Sequence, residues 1–177
     1  MKTFGEIMFA LICCWYTATR DVGDRAIMLA ETYLGHEEVT HNSSPHIDYW
    51  LERLGLPPGN NYCAAFAAMI LDSVQVDYPT VRSAAAQHYI TPNSIRASNV
   101  MQGYPVEKGA IAIWKRGDTW MGHVGFVISW QGSTGVTIEA NTTPSGPSEG
   151  RGNGVYRKER KIIPTAYFRI THFTNLK

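Results

Sequence analysis

"GNNYCAAFAAMIL", from Gly59 to Leu71, places Cys63 between a turn and an alanine-rich apolar run. Whether that run is a helix, and whether the cysteine opens it, decides how the rest of the chain is arranged. Cys63 to Val74 holds many good helix formers and few breakers, and Phe66, Met69 and Ile70 make an apolar stripe along it. "GLPPGNN" before it forces a turn. The pattern predicts a helix that starts at the cysteine. A thiol there meets unpaired N–H groups and the positive end of the helix dipole, and both favour the reactive thiolate. The competing reading is a small core filler, because free cysteine is among the most buried residue types.

Working outward, two more helices precede this one. Asp24 to Leu34 carries Ala26, Ile27, Ala30 and Leu34 at helical spacing, with Gly35 as a stop. Pro45 to Leu54 sets Ile47, Trp50, Leu51 and Leu54 on one face. The second half is β-rich: "GAIAIWKR" (109–116), "HVGFVISW" (123–130), "GVTIEANT" (135–142), "VYRKERKI" (155–162) and "AYFRITHF" (166–173). Residues 131–134 read as a hairpin loop, and 145–154 as a flexible loop. Residues 75–108 read as loop with at most a short helix near Arg82 to His88. Helices first and antiparallel strands afterwards give an α+β fold, with the last two strands closing the sheet.

At 177 residues the chain fits one domain with a real core. A net charge of +1 gives no electrostatic case for nucleic acid. No apolar run reaches the ~18 residues of a membrane span. The start, "MKTFGEIMFALICCWYTATRD", has Lys2, the apolar stretch Ile7 to Tyr16 and the small residues Thr17 to Thr19. Residues 1–19 are therefore read as a signal peptide or N-terminal anchor, and 20–177 as the single folded domain. Export to the periplasm or the outside follows, with Cys13 or Cys14 as the lipid-bearing residue if the protein is anchored. Removal of the leader leaves Cys63 as the one cysteine, so no intramolecular disulfide can form.

"HEEVTH" imitates a zinc-peptidase motif, but His36 and His41 are five apart rather than four and follow a helix stop. They read as loop histidines, and no metal or organic cofactor is expected. A cysteine nucleophile does need a histidine partner. His123 starts a strand between Gly122 and Gly125, where small neighbours permit close approach. Glu139 and Asn141 lie two apart on the next strand, so alternation puts both on one face, able to orient the imidazole. The backbone N–H of Cys63 is a natural oxyanion donor, and Tyr62 offers a second through its backbone or hydroxyl.

"YCAAFAAMIL", "GHVGFVIS" and "IEANTT", in that order, resemble the CHAP amidohydrolases/peptidases of the NlpC-type papain-like group. "AETYLGHEEVTHN", "YWLERLGLPPGNNYCAAF" and "GNGVYRKERKI" resemble a bacterial and phage subgroup, so the likeness spans residues 24–172. It implies a papain-like α+β fold, with the catalytic cysteine at a helix N-terminus packed on a central antiparallel sheet. It also implies a secreted bacterial hydrolase of peptidoglycan. Such an enzyme cleaves the bond between N-acetylmuramic acid and L-alanine, or an amide in the stem peptide or cross-bridge. The family cysteine falls on Cys63, its histidine on His123 and its polar third residue on Glu139, with a further asparagine on Asn141. Gly109-Ala110 departs from the Gly-Asp that the family often has at this point, which bears on local structure more than on activity. The cysteine precedes the histidine by sixty positions, the order of the hydrolases and not of permuted acyltransferases. Competing readings are a non-catalytic wall-binding module, a secreted transglutaminase- or deamidase-like effector, and an antibacterial toxin paired with an immunity or inhibitor protein. A monomer is expected.

Overall fold

A computed structural model describes residues 22–74, 83–145, 152–163 and 167–173. The leader at 1–19, residues 75–82 and 146–151 of the expected loops, and residue 166 lie outside the described residues. Residues 22–31 form the first helix, α1, and Gly35 takes a φ of 79° after it, a conformation that suits glycine. The second helix, α2 (Pro45–Glu52), begins at a Ser44 side chain that accepts from the N–H of Ile47, with proline in its first turn. It stops two residues short of Leu54, whose N–H bonds Leu51 in a turn. The third helix, α3 (Cys63–Ser73), starts at the cysteine as the pattern predicts. Every residue from Cys63 to Leu71 is buried, so α3 is not a striped surface helix but a central one covered on all sides.

The segment read as loop holds more order than its sequence suggests. A one-turn 3-10 helix spans Ala86–Tyr89, followed by a two-residue strand β1 (Ile95–Arg96) and a short helix α4 (Ala97–Met101). Elements this short leave too few periods for a pattern to register. The remaining strands are β2 (Ile111–Lys115), β3 (Gly122–Gln131), β4 (Thr134–Thr142), β5 (Gly154–Lys161) and β6 (Tyr167–Thr171). They form one six-stranded antiparallel sheet in the order β1-β6-β2-β3-β4-β5. The last two strands do not lie side by side. β5 forms one edge, whereas β6 crosses back to pair with β2. The β3–β4 turn is tighter than expected, with only Gly132 and Ser133 outside the strands. Gly132 supplies its positive φ of 56°.

Alternation divides the sheet into two faces. Ile111, Ile113, Val124, Phe126, Ile138 and Ala140 face the helices and share a core with Trp50, Phe66 and Leu71. Ala112, Trp114, Val127, Phe168 and Ile170 face the other way, under Ile95, Ala97 and Val100 of β1 and α4. The strand register places His123 opposite Trp114 and Gly125 opposite Glu139, so these four positions belong to the second face. The architecture is α+β, the class that the order of helices and strands in the sequence predicts.

Phe66 ties α3 to three neighbours, with ring centroids 5.8 Å from Tyr33, 5.1 Å from Trp50 and 6.4 Å from Phe126. Phe66→Ala should cost about 3–5 kcal/mol of stability. Urea unfolding checks this, with a lowered midpoint and an unchanged slope as the expected result.

Candidate active site

Cys63 is the first residue of α3 and is 5% exposed. The residue before it, Tyr62, makes no side-chain cap, so the first turn of α3 has no cap side chain over its N–H groups. His123 opens β3 on the second residue of the strand and is 1% exposed. Its Nε2 lies 2.8 Å from Oε2 of Glu139, which is fully buried on β4. A carboxylate accepts, so Nε2 carries the proton and Nδ1 is the nitrogen left for the thiol. Nδ1 makes no hydrogen bond of ordinary geometry among the described residues, yet the Cys63 thiol is near enough to act on the ring. Contacts of this kind commonly tighten when substrate enters.

Glu139 is held by three donors. His123 donates to Oε2, and the Thr137 hydroxyl donates to Oε1 at 2.5 Å. The Arg160 guanidinium grips both oxygens, with Nε 2.7 Å from Oε1 and Nη2 on Oε2. Burial alone would push the Glu139 carboxyl up. Hydrogen bonds from Arg160 and then His123, with their charges, outweigh burial and carry it down to about 2. Burial likewise works to lower the His123 imidazole. Bonding to Cys63 and to Glu139 outweighs it and raises the imidazole to about 10. The Arg160 guanidinium also lies over the Trp114 ring at 4.9 Å, and Trp114 packs against the His123 ring at 5.8 Å.

Gly125 makes the His123–Glu139 contact sterically feasible. A Cβ there would sit 2.5 Å from Cγ of Glu139 and 3.0 Å from the carbonyl oxygen of Ile138. The acid lies over β3 in the space that a side chain would fill.

The structure brings Cys63, His123 and Glu139 together and corrects two expectations. Asn141 does not share the face of Glu139, because the β4–β5 register shifts between Ala140 and Thr142 and Asn141 takes a φ of 55°. Its amide Nδ2 instead donates to Oδ1 of Asn42 at 3.0 Å. The Tyr62 hydroxyl is engaged elsewhere: it donates to Oε1 of Glu38 at 3.0 Å and receives a backbone hydrogen bond from Asn141. That leaves the hydroxyl no place as an oxyanion donor. Burial, and next the Glu38 charge, hold its pKa far above the ordinary tyrosine value.

In "HEEVTH" the residue that reaches the site is therefore Glu38, not a histidine. Its Oε2 accepts from the N–H of Asn42 at 2.8 Å, and Nδ2 of Asn42 donates to the Gly59 carbonyl at 3.2 Å. His36 packs edge-on against Tyr33 and at a tilt against His46, with centroids at 5.4 and 4.7 Å. His41 lies 3.3 Å from the Asn42 amide through Nε2. Sequence reading also missed Arg160, Trp114 and Thr137. Alternation could have signalled Thr137, which is two residues before Glu139 on the same strand.

Compared with known protein families, residues 55–141 fit the model of the CHAP domain. No curated protein and no solved structure matches the chain. The matched span contains Cys63, His123 and Glu139, and stops short of Arg160.

Glu139 and His123 should write opposite pH limbs into stability. The acid's contribution is complete above about pH 4.5 and is lost as pH falls toward about 2. The imidazole's contribution is complete below about pH 6.5 and is lost as pH rises toward about 10. Thermal melts across pH check this: the Tm gap between wild type and Glu139→Gln should close in acid. The gap to His123→Ala should close in alkali.

Proposed function

Because this chain carries a CHAP domain, the domain of a family of amidases and peptidoglycan hydrolases, we infer that it is a cysteine amidase acting on peptidoglycan. The bond cut is the N-acetylmuramoyl–L-alanine amide or an amide of the stem peptide or cross-bridge. The observation that carries the reading is the contact of 2.8 Å between His123 and a fully buried Glu139, beside a thiol at a helix start.

In the mechanism, the Cys63 thiolate attacks the scissile carbonyl carbon. The carbonyl π electrons move to oxygen, where the N–H of Cys63 at the start of α3 stabilises the oxyanion. Collapse breaks the C–N bond, and the His123 imidazolium donates its Nδ1 proton to the leaving amine. The neutral imidazole then takes a proton from water, which attacks the thioester and releases the acid and the thiolate. Glu139 keeps the ring in one tautomer and supports its charge throughout. Thr137 and Arg160 act on the acid rather than on the substrate. A wall substrate requires passage across the cell membrane, for which residues 1–19 are the candidate leader. Among the described residues no helix is long and apolar enough to span a membrane.

The test is mass spectrometry of fragments released from purified peptidoglycan by the mature protein and by Cys63→Ala. Fragments that vanish with the thiol, at least ~1,000-fold below wild type, are the expected result, and their masses name the bond. Equal release by the two proteins removes Cys63 as nucleophile. No release by wild type from walls of several chemotypes overturns the substrate assignment in favour of a wall-binding module or another amide substrate.

A further inference from the structure

Arg160 is the fourth charged group of the site, and the cysteine–histidine–glutamate chemistry does not by itself call for it. It belongs to the edge strand β5, where register places it opposite Gly135 of β4. From there the side chain runs inward along the second face, and only 10% of it stays exposed. Its planar fork meets both oxygens of Glu139, with Nε at 2.7 Å from Oε1. The guanidinium carbon lies over the Trp114 ring, 4.9 Å from its centroid, and the same indole walls the His123 imidazole at 5.8 Å. One aromatic side chain thus fixes the position of the cation and of the base it acts on.

Two parallel hydrogen bonds fix a carboxylate's plane, where a single one lets it rotate. With the plane fixed, Oε2 is directed at Nε2 of His123, 2.8 Å away through the gap left by Gly125. Charge leads to the same conclusion. A thiolate, an imidazolium and a carboxylate buried together carry a net negative charge, and desolvation opposes that. The guanidinium completes an alternating row of four groups whose sum is zero.

We propose that Arg160 is a positioning residue for the hydrolysis, holding Glu139 ionised and in one plane so that His123 presents Nδ1 to Cys63. This rests on the thiol–imidazole reading of the site and adds to it a residue outside the span that the family model matches. A merely structural arginine would support the fold without touching the reactivity of the thiol, and the two roles can be separated.

The experiment follows alkylation of Cys63 by iodoacetamide between about pH 4 and 8, read at the Cys63 peptide by mass spectrometry. Wild type is compared with Arg160→Gln, which removes the charge, and with Arg160→Lys, which keeps the charge and loses the fork. In Arg160→Gln the acid limb of reactivity should move up by on the order of one pH unit, with Arg160→Lys between the two. An acid limb at the wild-type pH in folded Arg160→Gln overturns the proposal, whatever happens to its Tm. Should Arg160→Gln fail to fold, Arg160→Lys decides together with the proton resonance of His123 Nε2–H. A shifted limb and a displaced resonance support positioning, and neither moving overturns it. Alkylation needs no wall substrate. A shifted limb in a protein that releases no wall fragments would therefore overturn the substrate assignment and leave Arg160 in its role.

Discussion

A carboxylate with no exposed surface has to be neutralised from every side, and at Glu139 that requirement organises the sheet around it. Leaving water costs such an ion several kcal/mol even after relaxation, so each oxygen needs strong donors. β4 supplies Thr137 from the same face, β3 supplies His123 from one side and β5 supplies Arg160 from the other. The histidine's own strand must be bare two residues further on, where the acid lies over it, and Gly125 provides that. Trp114 closes the group from β2. Four neighbouring strands thus meet at one acid, and the antiparallel register is what puts their residues on its face of the sheet.

Burial of α3 is the matching constraint on the helical side. Its residues from Cys63 to Leu71 have no solvent face, so the helix is packed by α1, α2 and the sheet together. A helix held on all sides cannot slide to bring its first residue toward a partner. The thiol's position is therefore set by the core rather than by a mobile loop. The imidazole comes from a strand packed on that same core through Val124 and Phe126.

Much of this was legible in the chain. Long periodic segments announced three helices and five strands, and the turn before Cys63 marked where α3 begins. β1 and α4 were not legible, because a two-residue strand and a five-residue helix each hold little more than a single period. At the site, alternation located Glu139 correctly and misplaced Asn141, since a local shift in register breaks period two and no residue type announces it. Arg160 was hidden for a different reason. It stands in "VYRKERKI", where Arg157, Glu159 and Lys161 are all exposed on the edge strand. A charge in such company reads as solvated, and only the position of a buried acid on the neighbouring strand gives it another meaning. The histidines of "HEEVTH" drew the eye to a metal motif while the glutamate between them was making the structural contact.

That glutamate ties the loop after α1 to the residue before Cys63. Glu38 bonds the Tyr62 hydroxyl and the Asn42 backbone, Asn42 bonds Gly59, and Asn141 bonds Asn42 from the end of β4. Loops of this kind are where a family ordinarily varies to meet different substrates. Here the varying part and the fixed part share a seam. A loop transplanted from a relative to retarget the protein would have to bring an acid and an amide to the positions of Glu38 and Asn42. Otherwise the buried Tyr62 hydroxyl beside Cys63 would lose the acceptor for its proton. Substitution at this loop should therefore be freest at its outward residues, such as Val39 and Thr40, while its inward residues are bound to the core.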